Sequence, residues 1–130
     1  MRVLVSLMIM SIMNNKIWTY FELAGKMAVS KRDQRTYLLG AIGIRGDNAI
    51  VSSMNAPTPF PTREAHAEYK LVRKLDHGAT VYVARIRTGD GAFANAKPCK
   101  DCMKVLKSRR VKKVYYTIGQ NEFGCYYPMR

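Results

Sequence analysis

Two short clusters in this chain carry residue types that do chemistry together. One is His66-Ala67-Glu68; the other is Pro98-Cys99-Lys100-Asp101-Cys102. Imidazole nitrogen and thiolate sulfur are good zinc ligands, and a catalytic zinc site takes three protein ligands while keeping a fourth position for water. His66, Cys99 and Cys102 supply that count. On a helix, the i, i+3 spacing of the two cysteines puts both sulfurs on one side of the first turn. There the positive end of the helix dipole favours their thiolates. Glu68 is a second anomaly. On a helical wheel it falls in the middle of an apolar stripe made by Ala65, Leu71, Val72 and Leu75, where a carboxylate is costly to bury unless it has a partner or a task.

Each part alone is ambiguous. A Cys-x-x-Cys pair also serves redox proteins and structural zinc sites. A structural zinc site needs a fourth protein ligand, and only His77 and Cys125 are spare. His77 reads more simply as a cation in the last turn of its helix, and Cys125 as a small buried thiol. A redox protein leaves His66 and Glu68 without a role. A non-catalytic zinc module that binds nucleic acid through a basic face has no use for Glu68 in an apolar stripe. Together the clusters favour catalytic zinc. His66 lies nearly opposite Glu68 on the wheel, so the two converge on one site only at the very end of their helix.

The surrounding elements must bring the clusters together. Tyr37 to Ile44 and Ala49 to Ser53 are short apolar runs separated by Arg45-Gly46-Asp47-Asn48, the pattern of a β-hairpin. Pro57, Pro59 and Pro61 hold the next stretch extended and exclude a helix there. Thr62 offers an N-cap and Glu64 a first-turn anion. Ala65, Tyr69, Val72 and Leu75 then recur at helical spacing up to Asp76-His77-Gly78, with Gly78 as the cap. Ala79 to Ile86 reads as a strand and Thr88 to Gly91 as a loop. Pro98 opens a second helix. Its inward stripe is Cys99, Cys102, Met103 and Leu106, and Lys100, Lys104 and Lys107 face outward. Val114 to Ile118 is the last clear strand. The order β-β-α-β-α-β implies an α/β sheet covered by helices, with an antiparallel first pair.

Residues 1–27 look different. Val3 to Met13 is an apolar stretch that superficially matches a secretory signal, but one charge precedes it and Asn14-Asn15-Lys16 follows in place of a small-residue cleavage site. The stretch reads as an appended helix or strand that packs on the domain, or as an overlong reading frame whose natural start is Met27. The remaining length fits one domain. At 48% hydrophobic and 24% charged residues the composition is that of a globular protein, which excludes wholesale disorder. No apolar run reaches the roughly 18–20 residues of a membrane span. Three cysteines are too few for a disulfide scaffold, so a reducing compartment, the cytoplasm, is expected.

The charge is extreme. There are 22 Lys and Arg against 9 Asp and Glu, a net +13, which favours partners that carry phosphate. Nearly half the excess lies in residues 98–113, where Lys100, Lys104, Lys107, Arg109, Arg110, Lys112 and Lys113 face only Asp101. The chain lacks a phosphate-binding glycine loop, so no nucleoside-triphosphate role is implied.

The two clusters together resemble the signature of the zinc-dependent cytidine and deoxycytidylate deaminase superfamily, His-x-Glu with Pro-Cys-x-x-Cys. The likeness covers about residues 36–120 and leaves out residues 1–27. It implies a three-layer αβα fold, a mixed sheet of about five strands flanked by helices, with residues 28–130 as the deaminase domain and 1–27 as an N-terminal extension. It implies Zn2+ held by His66, Cys99 and Cys102, lowering the pKa of its water toward ~7 so that hydroxide attacks C4 of cytosine. Glu68 would be the proton shuttle, taking the water's proton, protonating N3 and then the departing ammonia. The backbone N–H of Ala67 would contact the base and Asn55 the sugar, although a turn-forming asparagine explains Asn55 equally well. Members acting on adenosine in tRNA share the signature, so adenine stays open beside cytosine. Members often build active sites with neighbouring subunits, so a homo-oligomer is in view.

Two substrates share this chemistry. One is a free cytidine- or deoxycytidylate-type nucleotide, its phosphate held by a few basic residues. The other is cytosine in single-stranded DNA or RNA, tracked by Lys100, Lys104, Lys107, Arg109 and Arg110. The net charge favours the polynucleotide.

Overall fold

The computed structural model describes the backbone of residues 2–28, 37–54 and 67–130, with side chains other than those of 2–13, 37 and 69. These residues form α1 (Arg2–Ala28), β1 (Tyr37–Ile44), β2 (Ile50–Met54), α2 (Ala67–Val72), β3 (Thr80–Arg87), β4 (Phe93–Ala94), α3 (Lys100–Ser108), β5 (Lys113–Gly119) and β6 (Glu122–Tyr126). The strands make one mixed sheet in the order β2-β1-β3-β5-β6, with β4 beside β3. β3 and β5 run parallel and the other pairs antiparallel. The α/β class and the mixed sheet flanked by helices are as expected. Two strands go beyond the reading: the two-residue β4 and the edge strand β6.

The sheet separates two cores. On one face Leu71 and Leu75 of the α2 region and Leu106 of α3 pack on Ala41, Val81, Val83 and Val114. On the other, Ile17, Phe21 and Ala24 of α1 pack on Ile42, Tyr82, Ala84 and Tyr115. The second half of α1 is thus embedded in the sheet. β1 carries glycine at the contact because a Cβ on Gly40 would collide with the Ala24 carbonyl oxygen. Aromatic rings fill this layer, Trp18 meeting Phe21 edge-on at 5.2 Å and Tyr82 stacking on Tyr115 at 4.9 Å.

The β1–β2 turn is tied to the end of α2. The Gly46 amide donates to both Asp76 carboxylate oxygens at 3.0 and 2.9 Å, and Lys74 Nζ donates to the Ser52 carbonyl at 2.6 Å. Past Val72 the chain tightens, with the Lys74 and Leu75 amides on the Leu71 and Val72 carbonyls, so the helix stops short of Asp76. Gly78 follows with φ +85°.

Burial pushes the Tyr82 hydroxyl up from 10.0 to about 12, with Tyr115 and Tyr20 adding to it and Lys113 opposing. An acid whose folded pKa is raised gives up its proton more readily when unfolded. Its stabilising contribution is therefore full below pH 10 and is lost as the pH rises toward 12. Tyr82→Phe keeps the ring and removes the ionisation. It is expected to hold its fold to higher pH than the parent, read by far-UV circular dichroism across that window; coincident alkaline midpoints would contradict this.

Candidate active site

Glu68 opens the site. Ala67 and Glu68 form the first turn of α2 and are buried, the carboxylate residue only 2% exposed. β2 pins this turn, since the buried Ser53 hydroxyl donates to the Ala67 carbonyl. Leu71 of α2 and Leu75 just beyond it lie in the core, as the apolar stripe around Glu68 requires. The side chain is therefore committed to the interior of the domain.

α3 packs beside α2 and presents the cysteines. Cys99 is the N-cap, in extended conformation at φ −68° and ψ 168°, and its Sγ accepts from the Cys102 amide at 3.5 Å. Cys99 is exposed, whereas Cys102 is fully buried. The inward stripe thus begins at Cys102, because the cap residue sits outside the helix and faces solvent. The loop before α3 is held by the Ala96 amide on the Thr117 carbonyl at 2.8 Å and the Lys97 amide on Asn95 Oδ1 at 2.9 Å.

Burial pushes the Cys102 thiol up, and the Glu68 carboxylate and Cys99 push it further. The positive end of the helix dipole favours a thiolate here, and at Cys102 burial opposes it. The same cause places Glu68 against Cys102. Cys99 and Cys102 offer paired sulfurs of the kind zinc takes, while among the described residues no three metal-ligating side chains converge on one point. The donor set fits zinc. His66 and Asn55 lie outside the described residues.

Tyr126 is a further member of this neighbourhood. Burial pushes its hydroxyl up, and the charges of Glu68 and Cys102 add to this. Its hydroxyl is buried without a hydrogen-bond partner among the described residues. Without β6 in view, nothing in the sequence put Tyr126 on the face of α2 and α3. Cys125, one residue earlier, points the other way at the sheet edge and is exposed, so the expectation of a buried thiol is corrected.

The basic residues divide. Lys100, Lys104, Lys107 and Arg110 are exposed on and just after α3. Arg109 is half-buried and its Nε donates to the Leu75 carbonyl at 2.8 Å, which commits part of its guanidinium to joining α3 to the end of α2.

Residues 14–118 match the family model described as the cytidine and deoxycytidylate deaminase zinc-binding region. The matched segment begins inside α1, before the stretch that carries the sequence resemblance. A curated relative is the tRNA-specific adenosine deaminase subunit tad2 of Schizosaccharomyces pombe, 26% identical over 107 residues, or 82% of this chain. The aligned stretch spans 27% of that relative's length. No helix among the described residues is long and apolar enough to cross a membrane. With the family model spanning most of its length over the buried Glu68 and the Cys99–Cys102 helix start, this chain belongs to the cytidine and deoxycytidylate deaminase zinc-binding family.

Proposed function

We propose that the protein catalyses hydrolytic deamination of cytosine to uracil, with the base presented by a single-stranded polynucleotide. The observation that carries the reaction is the buried Glu68 carboxylate set against Cys102 at the adjoining starts of α2 and α3. His66, Cys99 and Cys102 would hold zinc, which when bound makes water acidic enough, with a pKa near ~7, to serve as a nucleophile at neutral pH. Glu68 takes one proton from that water and delivers it to ring nitrogen N3. It then moves a proton to the amine, which leaves as ammonia while the ring keeps the oxygen. The Ala67 N–H serves the base, its turn held by Ser53, and Asn55 serves the sugar.

The exposed lysines of α3 favour a strand over a lone nucleotide, since a charge run of this length neutralises several phosphates. A reading with adenine in tRNA as the target is favoured by the named activity of the fission yeast relative. Its designation as a subunit also favours an assembly with a second chain. With only three cysteines, two of them spaced as metal ligands, a reducing cytoplasm suits the chain.

The test is a side-by-side assay on deoxycytidylate, cytidine, a cytosine-bearing single-stranded oligonucleotide and an adenine-bearing RNA stem-loop. Uracil and ammonia are expected from the oligonucleotide, at a rate that falls steeply with salt. Turnover of monomers alone would overturn the polynucleotide assignment, and inosine from the stem-loop would overturn the base assignment.

A further inference from the structure

The helix layer ends, away from the reaction centre, in a cluster of cations drawn from two elements. α2 and α3 both begin at the centre. Their far ends are tied together: Arg109 Nε donates to the Leu75 carbonyl at 2.8 Å, the Gly78 amide to the Arg110 carbonyl at 2.9 Å and the Lys112 amide to the Ala79 carbonyl at 2.9 Å. Arg73 follows α2, Lys107 lies in the last turn of α3, and Arg110 and Lys112 come just after it; all four are exposed. None of these four side chains has a hydrogen bond or ion pair with another described residue. The acids at this end are already engaged. Asp76 accepts from the Gly46 amide, and Asp47 pairs with Arg45 at 3.4 Å.

Arg110 is the member that ordinary helix chemistry does not explain. Its backbone is held at φ +58°, in the left-handed region where glycine is the usual residue. The Arg110 amide donates to the Lys107 carbonyl at 3.0 Å and the Val111 amide to the Leu106 carbonyl at 3.1 Å. That pair of bonds closes a helix at the position most often given to glycine. The other non-glycine residue at positive φ among the described residues is Asn48, a type that tolerates the conformation. Attraction of cations to a helix C-terminus accounts for Lys107 and Arg109. At Arg110 glycine would serve the turn better, since every bond the residue makes there is through its backbone. What arginine adds is an exposed guanidinium, and strain kept for one side chain points to work for it.

Resting on the polynucleotide reading, we propose that this far end is a second anchor for the strand, where Arg73, Arg110 and Lys112 bind phosphates beyond those met along α3. α3 has 9 residues, a length of about 14 Å at ~1.5 Å per residue. At about 3.4 Å per nucleotide of a stacked strand, the anchor lies about four nucleotides from the reacting base. The substrate is therefore a strand that runs on at least that far past the target base. A free nucleotide, or a cytosine with one neighbour on each side, falls short of it.

Binding of fluorescein-labelled single strands to the full chain, followed by anisotropy against salt, tests this without turnover. Two strands carry a central cytosine, one with a single nucleotide on each side and one with about six, enough to pass the anchor in either direction. The long strand is expected to bind more tightly and with a steeper slope of log K against log salt, each phosphate contact adding about 0.7. Arg73→Gln with Lys112→Gln is expected to lower the long strand's slope by about 1.4 and to leave the short strand's slope unchanged. Arg110→Gly separates the side chain from the turn. It is expected to lower the long strand's slope by about 0.7 while raising the thermal midpoint by about 2–5 °C, because glycine relieves the backbone. A parent-like slope in the double variant overturns the anchor. So does an Arg110→Gly chain that melts below the parent and keeps its slope, which would make Arg110 a structural cap. A parent that binds neither strand overturns the polynucleotide reading and the anchor with it, whereas a parent that deaminates the strand yet binds both lengths alike overturns the anchor alone.

Discussion

Glu68→Gln is expected to retain about one zinc per chain, keep the cooperative unfolding of the parent and lose at least about 10²–10⁴-fold in turnover, the usual worth of a positioned general acid–base. The amide has nearly the volume of the carboxylate, so the core around α2 keeps its packing. Glutamine cannot accept the water's proton, and so cannot pass one to N3 or to the leaving amine. Stability should not fall. Burying a carboxylate costs the fold its hydration, and a neutral amide removes most of that cost. Three measurements separate the roles: metal content by mass spectrometry, thermal unfolding, and ammonia release under substrate saturation. A variant that is folded, zinc-loaded and active to within a few-fold would overturn the shuttle. A variant that loses its zinc would make Glu68 a ligand. Loss of turnover alone, with metal and fold intact, is the expected pattern.

The burial of Glu68 was legible before any coordinates because a helix repeats its faces. A carboxylate between Leu71 and Val72 on the wheel has nowhere to point but inward, and the structure leaves it 2% exposed. The same periodicity placed Cys102 and Leu106 inward and Lys100, Lys104 and Lys107 outward on α3. Periodicity says nothing of the cap, so Cys99 was drawn onto the inward stripe although it stands outside the helix and faces solvent.

β6 was missed for a local reason. Glycine weakens a strand, and Gly124 sits mid-strand for the sake of Tyr116, a tertiary cause with no short-range sign. The edge position of the strand leaves Cys125 exposed, against the ordinary preference of that residue for the interior. The face of Tyr126 is likewise defined only once β6 pairs with β5, Val114 opposite Tyr126. α1 was half legible. A run apolar on all sides has no period to distinguish helix from strand, and the notch that receives it is Gly40, on a different element.

That notch bears on how much chain the fold requires. A chain starting at Met27 is expected to lose cooperative folding. It would lack Ile17, Trp18, Phe21 and Ala24, and so uncover Ile42, Tyr82, Ala84 and Tyr115 across one whole face of the sheet. Phe21 alone is 0% exposed and contacts three rings: Trp18 at 5.2 Å, Phe123 at 5.8 Å and Tyr82 at 6.0 Å. Truncating one such phenylalanine costs about 3–5 kcal/mol, and a buried isoleucine about 2–5. Domains of this size hold only about 5–15 kcal/mol in total, so removing the set exceeds what the rest of the fold can supply. The shortened chain should bind a hydrophobic dye such as ANS and melt without a sharp transition. Phe21→Ala in the full chain gives the graded version, a lower denaturant midpoint at unchanged slope, about 3–5 kcal/mol less stable. A Met27-start chain that unfolds cooperatively at the parent's midpoint would make α1 an appendage. The loss expected here instead makes it the third layer, without which β1 and β3 cannot hold α2 and α3, and hence Glu68 and Cys102, in register.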